Sequence, residues 1–258
     1  GIICFPGFIE LHVADLISAL TTMTTKKMYN QLTFYLEACE SGSMFDGKLT
    51  DDMNIYAVTA SNPTESSWAC DYSSDYEAYL NDCWSRDFIN DTRWAINNQA
   101  MSTRTMEEQY NWVKQQSTKS PECRYGKMDF TDETLDYFQG QRSSKKMKKF
   151  PAGMKTHGER VEAHDVLLRT LEKKHEKYGT ETTYNELDAH RRERFEADTI
   201  WGKFAERLSL RLGEDMDDTC SRKIKVDSVC MKKAVNMAKS HCGSFNTYST
   251  KYYKYLHY

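Results

Sequence analysis

The stretch Leu32–Phe45, LTFYLEACESGSMF, decides how the chain is read. Leu32-Thr33-Phe34-Tyr35-Leu36 is apolar, β-branched and aromatic, the composition of a buried strand. It runs straight into Glu37-Ala38-Cys39-Glu40 and a Ser41-Gly42-Ser43 turn. A cysteine at a strand end is a candidate nucleophile, because α/β folds place their sites at the C-terminal edge of a parallel sheet. The thiolate is the reactive form and a free cysteine titrates near ~8.5, so activation calls for a neighbouring base, usually His. Two flanking carboxylates disfavour a thiolate. Residues two apart in a strand share a face, so Glu37 and Cys39 point the same way and Glu40 falls at the turn. Glu37 then stands beside the thiol, where it can bind something cationic or amide-bearing. The Gly42 turn is expected to offer free backbone N–H groups. On these residues alone, a reactive Cys39 and a buried structural one stand level.

Outward from this stretch, Glu10–Tyr29 (ELHVADLISALTTMTTKKMY) predicts a helix with Leu16, Leu20 and Met23 on one face. Val13 and Ile17 lie beside them, acids near the start, and Lys26 and Lys27 near the end. Met53–Ser61 (MNIYAVTAS) predicts a second buried strand, closed by Asn62-Pro63. Strand, helix, strand, strand at these distances predicts an α/β domain with a parallel sheet.

The pattern changes at Gly140. GQRSSKKMKKFPAGMKTHG holds six Lys or Arg and little apolar matter, and reads as a solvated linker. It lacks the interleaved aromatics of a nucleic-acid surface. Three helical patterns follow, over 161–178, 185–212 and 225–242. Val161, Leu168, Leu171 and Tyr178 keep helical spacing in the first, and Ile200, Phe204 and Leu208, with Trp201 and Leu212 alongside, form an expected core stripe in the second. The expected organisation is an α/β domain over 1–140, a linker over 141–160 and an all-α module over 161–258.

With 258 residues and 39% hydrophobic content, the chain can bury a core. No window reaches the roughly 18 apolar residues of a spanning helix. The chain opens on Gly1 and closes inside YYKYLHY, and both ends read as cut. Residues 1–125 hold 17 acids against 9 bases and residues 126–258 hold 21 against 26, so the halves carry opposite signs and can attract each other. The eight cysteines contain no CxxC, and a zinc site on Cys230, His241 and Cys242 lacks the usual ligand spacing. The expectation is no metal and no cofactor. Asn90-Asp91-Thr92 is a glycosylation sequon.

FYLEACESGSMF, followed by NIYAVTASNPTESSWACDYSSDYEAYLNDCWSRDFIND, resembles the asparaginyl endopeptidase (legumain) family of cysteine proteases. The resemblance extends upstream through GIICFPG and LHVADL and downstream through EEQYNWVKQQS and FQGQ. It reaches the helical half more weakly, where Cys230 and Cys242 match two prodomain cysteines whose expected partners would lie beyond the C-terminus. It implies the C-terminal part of a caspase-like parallel-sheet sandwich, then a linker and an all-α helical prodomain. It assigns Cys39 as nucleophile, Glu37 and Asp82 as the lining of a pocket for a substrate Asn side chain, and Ser66 and Ser67 to the substrate channel. Without it, Ser66 and Ser67 read equally as an exposed polar turn. A carboxylate suits an Asn pocket because it accepts hydrogen bonds from the amide NH₂. Cys83 stands where the family usually has an aromatic.

The family's catalytic His lies in an Asp-His-Gly segment that would precede Gly1, and none of the seven histidines here fits it. The chain as it stands is therefore expected to be inactive by itself. The activity implied is an autoinhibited endopeptidase that cleaves after Asn, and after Asp at acid pH, through a thioester acyl-enzyme. The alternatives are a peptide ligase of the same family and a non-catalytic pseudo-protease binding module. The implied partners are protein and peptide substrates with an exposed Asn, the chain's own helical half as inhibitor, and cystatin-like inhibitors. No nucleic acid and no membrane span are expected. Asn185 and Asp165 are candidate self-cleavage points. The implied location is a lysosome, a vacuole or the secretory route.

Overall fold

The computed structural model describes residues 1–5, 9–117, 122–140, 156–213, 227–242 and 247–257. The chain forms two compact units, Gly1–Ala163 and His164–Tyr258.

The first unit is mixed α/β. Strands β1 (Ile2–Phe5) and β2 (Ile9–His12) make an antiparallel pair that leads into helix α1 (Val13–Thr25). The helix expected from Glu10 therefore starts three residues later, because Glu10–His12 pair with β1. The stretch that opened the reading forms β3 (Leu32–Leu36), which runs parallel to β4 (Ile55–Thr59) in the register Leu32↔Ile55 to Leu36↔Thr59. The sheet is not wholly parallel. On the other side of β4, β7 (Cys123–Gly126) runs antiparallel.

Strand β4 is the centre of this unit and all five of its residues are buried. Alternation sends its residues to two cores. Tyr56 and Val58 pack with Trp84, Tyr110 and Val113, which come from α2 (Cys83–Asn97) and α3 (Met106–Gln116). Ile55 and Ala57 pack with Val13, Leu16 and Leu20 of α1. Helix α3 opens with a reciprocal cap, in which Thr105 accepts from Glu108 N–H and Glu108 accepts from Thr105 N–H. A short α4 (Leu135–Gln139) follows β7.

A second sheet has the order β6-β5-β8, all antiparallel, from Trp68–Ser73 (β5), Ala78–Asp82 (β6) and Thr156–Glu162 (β8). Strand β8 arises where the sequence reads as linker end and first helix. Val161 is buried on it opposite Ala69, among charged neighbours that gave no alternating apolar signal. The Lys-rich residues 141–155 lie outside the described residues.

The second unit consists of α5 (Val166–Tyr178), α6 (Glu181–Leu212), α7 (Ser228–Cys242) and a run of 3-10 turns over Thr247–His257. The expected core stripe on α6 is displaced. Ile200 and Phe204 are exposed, while Leu187, Ala197 and Trp201 are buried. The cause lies at the far end of the chain. Trp201 stacks on Tyr252 with ring centroids 5.8 Å apart, and Arg194 lies over the Tyr248 ring at 3.9 Å. These late aromatics select the Trp201 face of α6. Cys230 is exposed on the first turn of α7, and the Cys242 and His241 side chains lie outside the described residues, as does Cys220. Among the described residues, no helix is long and apolar enough to cross a membrane.

Candidate active site

Strand β3 ends at Leu36, and Glu37, Ala38 and Cys39 lead from its end into a turn. Glu40 then takes a left-handed conformation, φ 46°, and Ser41–Met44 form one 3-10 turn. A buried serine pair holds this turn to the end of β4. Ser41 N–H donates to Ser61 Oγ at 3.0 Å, Ser61 N–H donates to Ser41 Oγ at 3.1 Å, and Ser61 Oγ donates to Ala38 O at 2.9 Å. The expectation of free N–H groups on the turn fails. Glu40 N–H donates to Glu65 O, Gly42 N–H to Ser61 O and Ser43 N–H to Glu40 O, all within 3.0 Å. The turn is a mount for Cys39 and its N–H groups are already used.

Cys39 is half-buried, and two serines from the loop before β5 reach its sulfur. Ser66 Oγ donates to Cys39 Sγ at 3.3 Å, and Ser67 Oγ lies 3.6 Å from it. The loop is held by Asn62, whose Oδ1 accepts from the N–H groups of Thr64 (2.9 Å) and Glu65 (2.8 Å). Ser66 and Ser67 are thus gathered at the thiol.

Glu37 lies against the start of α2. Its Oε2 accepts from Ser85 N–H at 3.0 Å and from Ser85 Oγ at 2.8 Å. Its Oε1 is buried with no hydrogen-bond partner among the described residues. Burial, and then the charge of Asp82, push the Glu37 carboxyl up to about 8, against the pull of the two Ser85 bonds. Asp82 is the last residue of β6 and the residue before α2, and burial raises its carboxyl as well. Two acids and a thiol therefore converge where β3, β6 and α2 meet. Ser85 escaped the sequence reading. The signal that could have found it is its place three residues after Asp82, where a helix N-terminus presents N–H groups.

Other singled-out residues lie elsewhere. Asn90 is exposed in the middle of α2. Asn185 is exposed within α6, and Asp165 precedes α5 with its carboxylate accepting from Arg194 at 2.7 Å. His12 is buried at the start of α1, 3.4 Å from the Glu10 carboxylate.

Residues 1–141 match the family model of the peptidase C13 family. The chain is 31% identical to legumain of Mus musculus over its whole length, which covers 58% of that protein. It is 36% identical to legumain of Homo sapiens over 67% of the chain and 39% of the relative. It is 30% identical to the vacuolar-processing enzyme delta-isozyme of Arabidopsis thaliana over 98% of the chain and 58% of the relative. The chain thus spans a little over half the length of relatives that it matches from end to end. With the family model matched over 1–141 and legumain identity carried across all of it, this chain belongs to the peptidase C13 family.

Proposed function

We propose that this chain is part of an autoinhibited cysteine endopeptidase that cleaves after Asn, with Cys39 as nucleophile and Glu37 and Asp82 reading the substrate amide. The observation that carries it is the buried, unpartnered Oε1 of Glu37 beside Asp82. A carboxyl that titrates near 8 is protonated in an acidic compartment. With Oε2 occupied by Ser85, the proton resides on Oε1 and donates to the substrate carboxamide oxygen. Asp82, when ionised, accepts from the carboxamide NH₂. One donor and one acceptor recognise an amide, which offers both partners. An ionised Asp substrate offers Asp82 no donor and is repelled. A protonated Asp offers C=O and O–H and imitates the amide, so cleavage after Asp needs acid.

Cys39 Sγ attacks the scissile carbonyl, the amine leaves with a proton, and water releases the thioester. The base is the family's His, which the resemblance assigns to an Asp-His-Gly segment upstream of Gly1. Ser66 and Ser67 line the approach to Sγ. The name of the Arabidopsis thaliana relative, with the Asn90 sequon, supports a vacuolar or lysosomal destination along the secretory route; the helical unit is the proposed inhibiting segment. Asn185 and Asp165 remain the proposed self-cleavage points. The α6 helix and the Arg194 ion pair must open first.

The test uses the protein completed from its own transcript, with Asn, Asp and Gln peptides from pH 4 to 7. Turnover after Asn that Cys39→Ala abolishes is expected. Asp82→Ala removes the acceptor, and losing one buried hydrogen bond costs ~1–3 kcal/mol, so kcat/KM for Asn should fall roughly 5- to 150-fold. An upstream segment without the His, or unaltered Asn preference in Asp82→Ala, overturns the reading.

A further inference from the structure

Behind the pocket acids lies a pair of cysteines that the proposed chemistry does not use. Cys70 sits on β5 and Cys83 opens α2, and each is 1% exposed. Strand register brings them together. Ala69 is paired with Asp82, and Cys70 with Asn81. Asp82 is extended (φ −83°, ψ 136°), so side-chain alternation continues through it and sets Cys83 on the same face as Asn81, diagonal to Cys70. The two thiols share a hydrogen bond.

Their surroundings are unequal. The bond with Cys70, and then Arg160 and Arg86, lower the Cys83 thiol below its usual range, against burial and Asp87. Arg160 lies on β8 in register with Cys70, and Arg86 is on the first turn of α2, paired with Asp87 at 2.8 Å and Asp71 at 3.4 Å. Cys83 also occupies the N-terminal turn of a 15-residue helix, which favours a thiolate. Cys70 is shifted the other way, first by its bond to Cys83 and then by burial. A thiol on the first turn of a helix, with a second thiol diagonal to it on the paired strand, is the arrangement of an attacking and a resolving cysteine.

We propose that Cys70 and Cys83 are a redox pair that closes to a disulfide, tying β5 to the first turn of α2 around the pocket acid Asp82. The oxidant is a low-molecular-weight disulfide such as oxidised glutathione. Cys83 thiolate attacks one of its sulfurs and releases the first glutathione as thiolate. Cys70, losing its proton, attacks the Cys83 sulfur of the mixed disulfide and releases the second. Two protein thiols lose two electrons and two protons, and one oxidised glutathione becomes two reduced ones. Because both sulfurs are buried, closure accompanies folding or an opening of β6, an edge strand of its sheet. The bond would fix Asp82, and through α2 the Ser85 clamp on Glu37.

The 258-residue chain itself serves for the test, and the outcome does not depend on the proposed protease activity. The folded, reduced chain is equilibrated in glutathione buffers of rising oxidised fraction, quenched in acid, unfolded, alkylated and mapped by mass spectrometry. Cleavage after Glu77 separates the two cysteines unless they are bridged. A Cys70–Cys83 linkage, lighter by two hydrogens, is expected to accumulate as both positions lose alkylation together. Oxidation should also raise the Tm by roughly 5 °C, a shift absent in Cys83→Ser. Full alkylation of both in the most oxidising buffer, separate glutathione adducts, or a linkage that forms only after unfolding in urea would each overturn the proposal.

Discussion

Glu37 and Glu122 show how single residues in this fold set its response to pH. Glu122 is buried. Trp84 Nε1–H donates to its Oε1 at 2.8 Å, while its Oε2 has no partner among the described residues. Burial above all pushes Glu122 up to about 8, the same value as Glu37. Both titrate far above an ordinary carboxylate near ~4.3. Between those values the folded chain holds protons that the unfolded chain has lost. The stabilisation is whole below the unfolded pKa and disappears as pH rises through about 8. Each such group contributes a slope of up to about 1.4 kcal/mol per pH unit. The first unit should therefore be more stable at pH 5 than at pH 8. Glu122→Gln, which keeps the Trp84 acceptor and removes the charge, should flatten part of that slope in urea unfolding curves. A variant whose pH slope equals that of the wild type would refute the assignment.

Among the elements, the turn after β3 tolerates least change. A Cβ built on Gly42 would stand 2.3 Å from Tyr125 Oη and 2.8 Å from both the Asn62 carbonyl carbon and Pro63 Cδ. Two of these are backbone or ring atoms that cannot swing aside. Gly42→Ala should cost ~2 kcal/mol or more and displace Cys39. Gly47→Ala provides the control. That glycine has open space and a positive φ of 66°, so the change is strained locally but touches nothing in the site. Thermal melts and the rate of Cys39 alkylation should separate the two variants. Equal Cys39 reactivity in both would show that the turn does not set the thiol's position. Helix α2 illustrates the opposite property, a core face built from polar residues. Trp84, Asp87, Asp91 and Ala95 are buried on it, with Asp87 held by Arg86 and Ser117 and Asp91 by Arg104 at 2.6 Å and by Gln109.

At the scale of the whole molecule, the proposed inhibition by the helical half has an electrostatic form that can be tested. Residues 1–125 carry an excess of acids and residues 126–258 an excess of bases, so docking of the two, as proposed, would draw on opposite charge. Carboxylates that gain Lys or Arg partners on docking have lowered pKa values. They stay ionised near neutral pH, and the docking they support is lost as pH falls through those values. If the reading holds, the protein completed from its own transcript and carrying Cys39→Ala, cut in its 141–155 segment by an added protease, should hold its two pieces together at pH 7 and low salt. Affinity should fall toward pH 4 and at high salt. Affinity indifferent to both would end the electrostatic account while leaving the protease reading intact.

Local sequence by itself determined β3, β4, most of α1 and the helices of the second half, because each buries a face or a run that recurs at the strand or helix period. It read Cys39 at the end of a strand, whereas β3 stops at Leu36 and Cys39 lies on the turn that follows. It was blind to β8 and α2, where the buried positions are few or charged and acquire partners only from distant segments. On α6 it named Trp201, which is buried, but centred the stripe on Ile200 and Phe204, which are exposed, because Tyr248, Tyr252 and Tyr253, some fifty residues away, decide which face is covered. The site divides in the same way. A motif names Cys39, Glu37 and Asp82. The tertiary structure alone brought Ser85 under Glu37, left Oε1 without a partner, raised its pKa by burial beside a second acid, and set Cys70 against Cys83. Desolvation and cross-strand register are properties of the packed chain, and no window of sequence contains them.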